Sequence, residues 1–183
     1  EIAFDTEVTN DSLRGTINYT DPNYDFLGNS LNYYLSSTNN DKPDQGYENS
    51  IVSAGINTSF EQYKDLFATL GLNASYDDLR TTDNASASLR EQSGEFSELA
   101  GVYGFALDKR NRTFMPTDGS ILSFNQVLPF YADKSYISNT LAYSGYNTLT
   151  ENVVNATKFY TSAINGLGSD NVRVSKRNFL STK

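Results

Sequence analysis

The sequence predicts an all-β fold: an antiparallel transmembrane β-barrel present in part, as about nine strands of a larger barrel. Three observations predict it. Nine stretches alternate apolar and polar residues with period two, and no stretch has a convincing helical period. Apolar residues are spread thinly, at 38% hydrophobic, yet aromatics reach 13%, with 13 Tyr and 11 Phe. Asn, Ser and Thr recur throughout. A soluble core concentrates Leu, Ile and Val, whereas a barrel wall needs an apolar residue only at every second position.

The elements follow in order. In residues 1–8, Ile2, Phe4, Thr6 and Val8 face one way, against Glu1, Ala3, Asp5 and Glu7. In 13–20, Leu13, Gly15, Ile17 and Tyr19 oppose Arg14, Thr16, Asn18 and Thr20. In 30–36, Leu31, Tyr33 and Leu35 oppose Asn32, Tyr34 and Ser36. Residues 66–76 set Leu66, Ala68, Leu70, Leu72, Ala74 and Tyr76 against Phe67, Thr69, Gly71, Asn73 and Ser75. In 95–107, Leu99, Tyr103, Phe105 and Leu107 oppose a mixed face with Glu98 and Ala100. Four weaker stretches lie near 50–58, 120–130, 135–146 and 152–164; in the last, Lys158 shares a face with Val154 and Tyr160. A tilted strand of about 9–11 residues spans a bilayer.

The connections are expected to alternate long and short. Residues 36–50 and 77–94 read as long outer loops, 59–65 and 109–119 as short turns, and 10–12 and the region of Asp133 as tight hairpins. Residues 165–178 begin a further polar excursion. Aromatics gather at strand ends, among them Tyr24, Phe26, Phe60, Tyr63, Phe114, Phe130 and Phe159, as in interfacial girdles. The chain opens inside a strand pattern, which reads as a segment of a longer protein; the whole of 1–183 is expected to be one wall segment.

Composition narrows the function. Cys and His are both absent. Disulfides, thiolate metal sites, the commonest general base and the usual zinc ligand are thereby excluded. A net charge of -8 opposes nucleic-acid binding, which needs Lys and Arg to displace counterions. No apolar run is long enough for a membrane helix. Asn39, Asp41, Asp44 and Glu48 lack the loop spacing of a Ca²⁺ site and read as a solvated acidic loop. The paired carboxylates Asp77–Asp78 and Glu95/Glu98 are the residues glycoside chemistry would use, but a loop and a lumen face are the simpler readings. Asn-x-Ser/Thr triplets such as those at Asn10 and Asn73 follow from the Asn/Ser/Thr-rich face. No catalytic, cofactor or metal site is expected.

The most specific stretch runs from Leu107 to Ser120: a strand end, a charged turn and a restart, with Pro116 fixing φ and Asp118-Gly119 supplying turn chemistry. Its Asp108, Arg110, Phe114, Pro116, Thr117, Asp118 and Gly119 resemble the Asp-x-Arg…Phe-x-Pro-Thr-x-Gly signature of BamA-type outer-membrane insertases and their surface-antigen relatives. A second segment, 20–28, with Asp21, Pro22, Leu27 and Gly28, resembles that family's turn between the fourth and fifth strands. The tail 177–183 resembles the approach to its long sixth outer loop.

The resemblance implies strands three to eleven of a sixteen-stranded barrel in a bacterial outer membrane. Its parent would fold and insert other barrels, meeting lipid, nascent outer-membrane proteins and accessory assembly lipoproteins, with no enzyme chemistry. The family's Arg-Gly-aromatic element, lateral seam and POTRA domains lie outside these residues, and an odd strand number is not expected to close. A translocation-assembly or two-partner secretion barrel, a porin or adhesin barrel, and a soluble β-sandwich are the alternatives.

Overall fold

The computed structural model describes residues 1–168 and 170–177. It contains one antiparallel sheet in which neighbours in sequence are neighbours in space. The strands are β1 (Ile2–Val8), β2 (Ser12–Asp21), β3 (Ser30–Lys42), β4 (Tyr47–Tyr63), β5 (Leu66–Thr81), β6 (Gly94–Asp108), β7 (Gly119–Ala132), β8 (Tyr136–Thr150) and β9 (Val153–Gly166). A single helical turn, α1 (Ala87–Arg90), sits in the β5–β6 connection, with Ser86 capping the Leu89 amide. The sheet is open: β1 and β9 are its two edges.

The register makes the alternation a property of the whole wall. Because directly opposed residues share a face, Tyr19↔Tyr33, Tyr33↔Ile56, Ile56↔Leu72 and Leu72↔Gly101 form one continuous row. Rows above and below it carry Ile17↔Leu35↔Ala54↔Ala74↔Leu99 and Leu31↔Thr58↔Leu70↔Tyr103. The opposite face carries Asn18↔Tyr34↔Gly55↔Asn73↔Ala100. There side chains bond to one another: Asn32 Nδ2 donates to Thr20 Oγ1 (2.8 Å), and Asn57 Nδ2 to Asn32 Oδ1 (3.4 Å).

Among the described residues no second layer covers the apolar face. Ile17, Tyr33, Leu35, Leu70, Leu72, Leu99, Phe105 and Leu122 all lie exposed on it. Among the described residues the buried hydrophobics are Ala68, Leu79, Ala85, Ala100 and Tyr136. A soluble sandwich would place an opposing sheet there. A barrel wall instead turns this face to lipid, and closes every backbone hydrogen bond between strands so that none meets hydrocarbon bare.

The strands are longer than the sequence pattern implied, and two loops are correspondingly shorter. The expected loop 36–50 is mostly ladder, since β3 and β4 stay paired from Asn39↔Ser50 to Lys42↔Tyr47 and leave a 3-10 turn at Pro43–Gln45. The expected loop 77–94 shortens to residues 82–93 because β5 runs to Thr81. The turn at 59–65 reduces to Lys64-Asp65, with Asp65 at φ +65°. The expected alternation of long and short connections is therefore not what loop length shows. At the end holding 22–29, 64–65, 109–118 and 151–152, two connections are long and two are tight. The reason is that strand pairing does not require an apolar face. Beyond the apolar band, residues polar on both faces still close the backbone ladder.

The faces make a direct prediction. Leu70→Arg, in the middle of the apolar run of β5, is expected to destabilise the parent barrel in bilayers by about 2–4 kcal/mol. The neighbouring Thr69→Arg, on the polar face, is expected to cost clearly less. Denaturant unfolding in lipid vesicles measures both.

Candidate functional site

Two kinds of structure stand out: turns built by side chains, and a charged cluster on the polar face.

In the turn between β6 and β7, Asp108 and Arg110 form a two-pronged pair. Arg110 Nε donates to Oδ1 (2.8 Å) and Nη2 to Oδ2 (2.6 Å), while the Arg110 amide also donates to Oδ1 (3.2 Å). Such fork-to-carboxylate geometry fixes orientation as well as charge. Asn111 organises the rest: its Oδ1 accepts from the Thr117 and Asp118 amides, and its Nδ2 donates to Thr117 Oγ1 (2.8 Å). Gly119 closes the turn at φ +90°, where an added Cβ would collide with the Lys109 carbonyl. Met115 also takes positive φ, at +48°. Pro116 lies between that residue and Thr117. Phe114 projects with 82% of its surface exposed. The Asp108 amide donates to the Asp65 carbonyl (2.8 Å), tying this turn to its neighbour.

The turn between β2 and β3 is built around a residue the sequence pattern did not single out. Asp25 Oδ1 accepts from the amides of Leu27 and Asn29, both at 3.0 Å, and Oδ2 accepts from Asn29 Nδ2 (2.6 Å). The Asn29 amide foremost holds the Asp25 carboxyl below its ordinary range, with the Asn29 side chain and the Leu27 and Gly28 amides adding to it. Of the motif residues, Asp21 accepts weakly from the Asn23 amide (3.4 Å), Gly28 supplies φ +78°, and Leu27 stands 86% exposed. Pro22 follows the last residue of β2. The two motif turns occupy the same end of the sheet but are separated along it by β3 to β6, so the structure does not bring them into one site.

The charged cluster is formed where the chain after β9 turns back over the polar face. Arg173, only 6% exposed, pairs with Asp77 of β5 (Nη1–Oδ2 2.9 Å) and stacks 3.4 Å above the centre of the Phe96 ring of β6. Asp77 also accepts from Asn49 Nδ2 of β4 (2.7 Å) and from the Ser175 hydroxyl. Beside it, Glu98 accepts from the Tyr136 hydroxyl (2.9 Å) and pairs with Lys176 (3.2 Å). Lys176 also lies 5.6 Å from the centre of the Tyr136 ring. A third pair, Lys134–Asp170 (3.3 Å), joins this segment to the β7–β8 turn, where Asp170 also accepts from the Ser135 amide (3.0 Å).

Burial disfavours a charged Arg173, whose pKa is pulled below the usual guanidinium value, and Asp77 opposes that pull, followed by Glu98 and Asp133. The carboxylates Asp77 and Asp78 lie on opposite faces of β5. Asp77 is committed to Arg173, and Asp78 points to the other face with Arg80 (2.8 Å). Of the polar excursion expected at 165–178, residues 165–166 end β9 and 170–177 form this docked segment, in which Arg177 bonds the Val172 carbonyl (3.0 Å). The rest of the motif tail, 178–183, lies outside the described residues. Sequence reasoning missed Arg173 and Lys176 as partners, because their acids lie 96 and 78 residues away. The available signal was a pair of acids, Asp77 and Glu98, on the stretch of polar face that β5 and β6 otherwise fill with uncharged residues.

Three outcomes are expected. Gly119→Ala should destabilise the folded barrel by about 1–3 kcal/mol through strain at positive φ, read from denaturant unfolding. Asp77→Ala, which leaves a buried guanidinium unpaired, should cost about 3–5 kcal/mol. Arg173→Ala should cost less, since Asp77 keeps Asn49 and Ser175, and a double-mutant cycle should show strong coupling.

For pH, the Ser135 amide first and then Lys134 hold the Asp170 carboxyl below its usual range. The folded value lies below the unfolded one. The pair's contribution is thus complete above the ordinary carboxylate value of about 3.9 and disappears as pH falls through the folded value. Pepsin cleavage within 167–177 should rise only below about pH 4.

The family model of the Omp85 superfamily domain matches residues 1–181. Among solved structures, the chain is similar to the crystal structure of BamA from Haemophilus ducreyi lacking POTRA domains 1–3, with a TM-score of 0.80 and 21% identity. That match covers 96% of this chain and 37% of the BamA chain, so the chain spans well under half of it. No curated protein matches. The fold is that of a BamA barrel wall. The chain belongs to the Omp85 superfamily of outer-membrane barrels.

Proposed function

We propose that this chain is the fixed wall of a barrel that folds and inserts other β-barrel proteins into a Gram-negative outer membrane, and that it makes or breaks no covalent bond. In such a protein, a weak seam elsewhere in the barrel would offer unpaired strand edges to an incoming strand. That strand would then not carry bare N–H and C=O groups into hydrocarbon. The wall described here would keep its own ladder intact while the seam opens. Its partners would be outer-membrane lipid, nascent barrel proteins and, by family, accessory assembly lipoproteins.

The observation that carries this reading is the ionic docking of 170–177 against β5 and β6. The segment is held on the polar face by a buried Arg173–Asp77 pair, which is costly to break. A machine that must hold one loop fixed while another part of the barrel moves gains a defined anchor.

The experiment reconstitutes the full-length protein in liposomes and follows insertion of an unfolded barrel substrate by its heat-modifiable gel mobility. Asp77→Asn and Arg173→Ala, in preparations that remain folded, should slow insertion relative to the unaltered protein. Wild-type insertion rates in both would remove the anchor from the account. If the unaltered protein inserts no barrel substrate, the assembly role itself is wrong. Passage of a soluble chain instead would move it to the secretion branch of the superfamily.

A further inference from the structure

Tyr103, Gln126 and Asn139 occupy one row across β6, β7 and β8, each directly opposite the next. The row lies on the apolar side of the sheet, because Tyr103 also opposes Leu70 of β5. Along β7 that side carries Leu122, Phe124, Gln126 and Leu128, and the Phe130 ring beyond them covers Gly101. Gln126 stands four residues from Leu122 and four from Phe130. At about 3.4 Å per step and a tilt of about 40°, its carboxamide is about 10 Å inside either end of the apolar run. On β8, Asn139 lies between Ile137 and Leu141 on the same side.

Polar groups at that depth are costly unless hydrogen-bonded, and the row is bonded within itself. Tyr103 Oη donates to Gln126 Oε1, and Gln126 Nε2 donates to Asn139 Oδ1. These two bonds use one of the four N–H groups that two primary carboxamides carry. The row ends at Asn139, whose Nδ2 donates in neither of them. There the surface is low: Ala163 of β9 lies directly opposite Asn139, and Gly145 opposes Thr157 further along.

Depth restricts what can meet that Nδ2. Acyl chains offer no acceptor, water is absent from the bilayer core, and headgroup oxygens lie at its margins. Backbone carbonyls of a neighbouring barrel are spent in its own ladder. The acceptor is therefore a side chain on another lipid-facing protein surface. A second copy supplies one without further coincidence, because the membrane holds both copies at one depth. A two-fold axis along the bilayer normal sets Asn139 against its counterpart, the self-complementary arrangement of an isologous interface. A carboxamide both donates and accepts, and Oδ1 has a second lone pair besides the one Gln126 uses. Small residues and amide side chains are also what close contacts between membrane-spanning segments use.

We propose that the β7 to β9 face is a dimerisation surface within the membrane, where two copies of the protein meet about Asn139 through reciprocal carboxamide hydrogen bonds. The inference does not depend on the assembly role; it rests on the apolar face meeting lipid.

The test uses the full-length protein in an outer membrane. The photo-crosslinking residue p-benzoylphenylalanine replaces Leu141 or Ala163 beside Asn139, or Leu70 on β5 as the distant control, and adducts are read by mass. The expected result is adducts of twice the protein's mass from 141 and 163, with few from 70. In Asn139→Leu, whose folding is checked by heat-modifiable gel mobility, the yield at 163 should fall about tenfold as two reciprocal hydrogen bonds are lost. Self-adducts undiminished in Asn139→Leu overturn the proposal, as do equal yields at 70. Adducts with a different protein overturn it by naming another occupant, and lipid adducts alone by leaving the face to the bilayer. Single cysteines at 70 and 141 that react with a membrane-impermeant maleimide would defeat the lipid-facing reading on which it rests.

Discussion

The constraint on which the rest depends is that a backbone crossing hydrocarbon must satisfy every N–H and C=O within the protein. The chain meets it from β1 to β9 with an antiparallel ladder in which each strand is paired to the next, with register shifts in three of the pairs, leaving the outer edges of β1 and β9 open. Once that ladder exists, side chains alternate between lipid and lumen without further choice. The rows through Ile17, Leu35 and Leu72 on one face, and through Asn32, Asn57 and Asn73 on the other, are its consequence. Little conventional core is then needed, which is why few described apolar residues are buried.

With the wall fixed by its backbone, the lumenal face is free to carry interactions that a hydrophobic core would not favour. Arg173 and Asp77 are almost completely buried, yet each is paired, and Asp77 collects further donors from Asn49 and Ser175. The ring of Phe96 covers the guanidinium plane, a contact that suits a weakly hydrated cation. The same economy governs the ends. Asp25 and Asn111 use one side chain each to satisfy several backbone amides, so the turns hold shape without apolar packing and leave Leu27 and Phe114 projecting.

The strand faces were legible in the sequence because period-two alternation records the two solvents directly. All five clean stretches, from Ile2 to Leu107, occupy strands with the faces expected of them. Strand ends were not legible. From Asn39 to Lys42 both faces are polar, so nothing in residue type separates a paired strand from a loop, and only the partner segment Tyr47–Ser50 decides it. The motif residues around Gly119 were visible because positive φ and Pro chemistry leave a local mark. The Arg173–Asp77 and Lys176–Glu98 pairs were not. They join segments about a hundred or fewer residues apart, and no local pattern encodes which acid an isolated Arg will find.

The central claim is that one face of this sheet meets lipid and the other a wet lumen. The most direct measurement places single cysteines at successive positions through 66–76 of the full-length protein in bilayers, where these 183 residues contribute no cysteine of their own. Each is then challenged with a membrane-impermeant maleimide. The account predicts a two-residue rhythm, with 69, 71 and 73 modified, 68, 70, 72 and 74 protected, and 75 shielded by the docked segment that carries Lys176. Modification at every position, or protection without alternation, would contradict it.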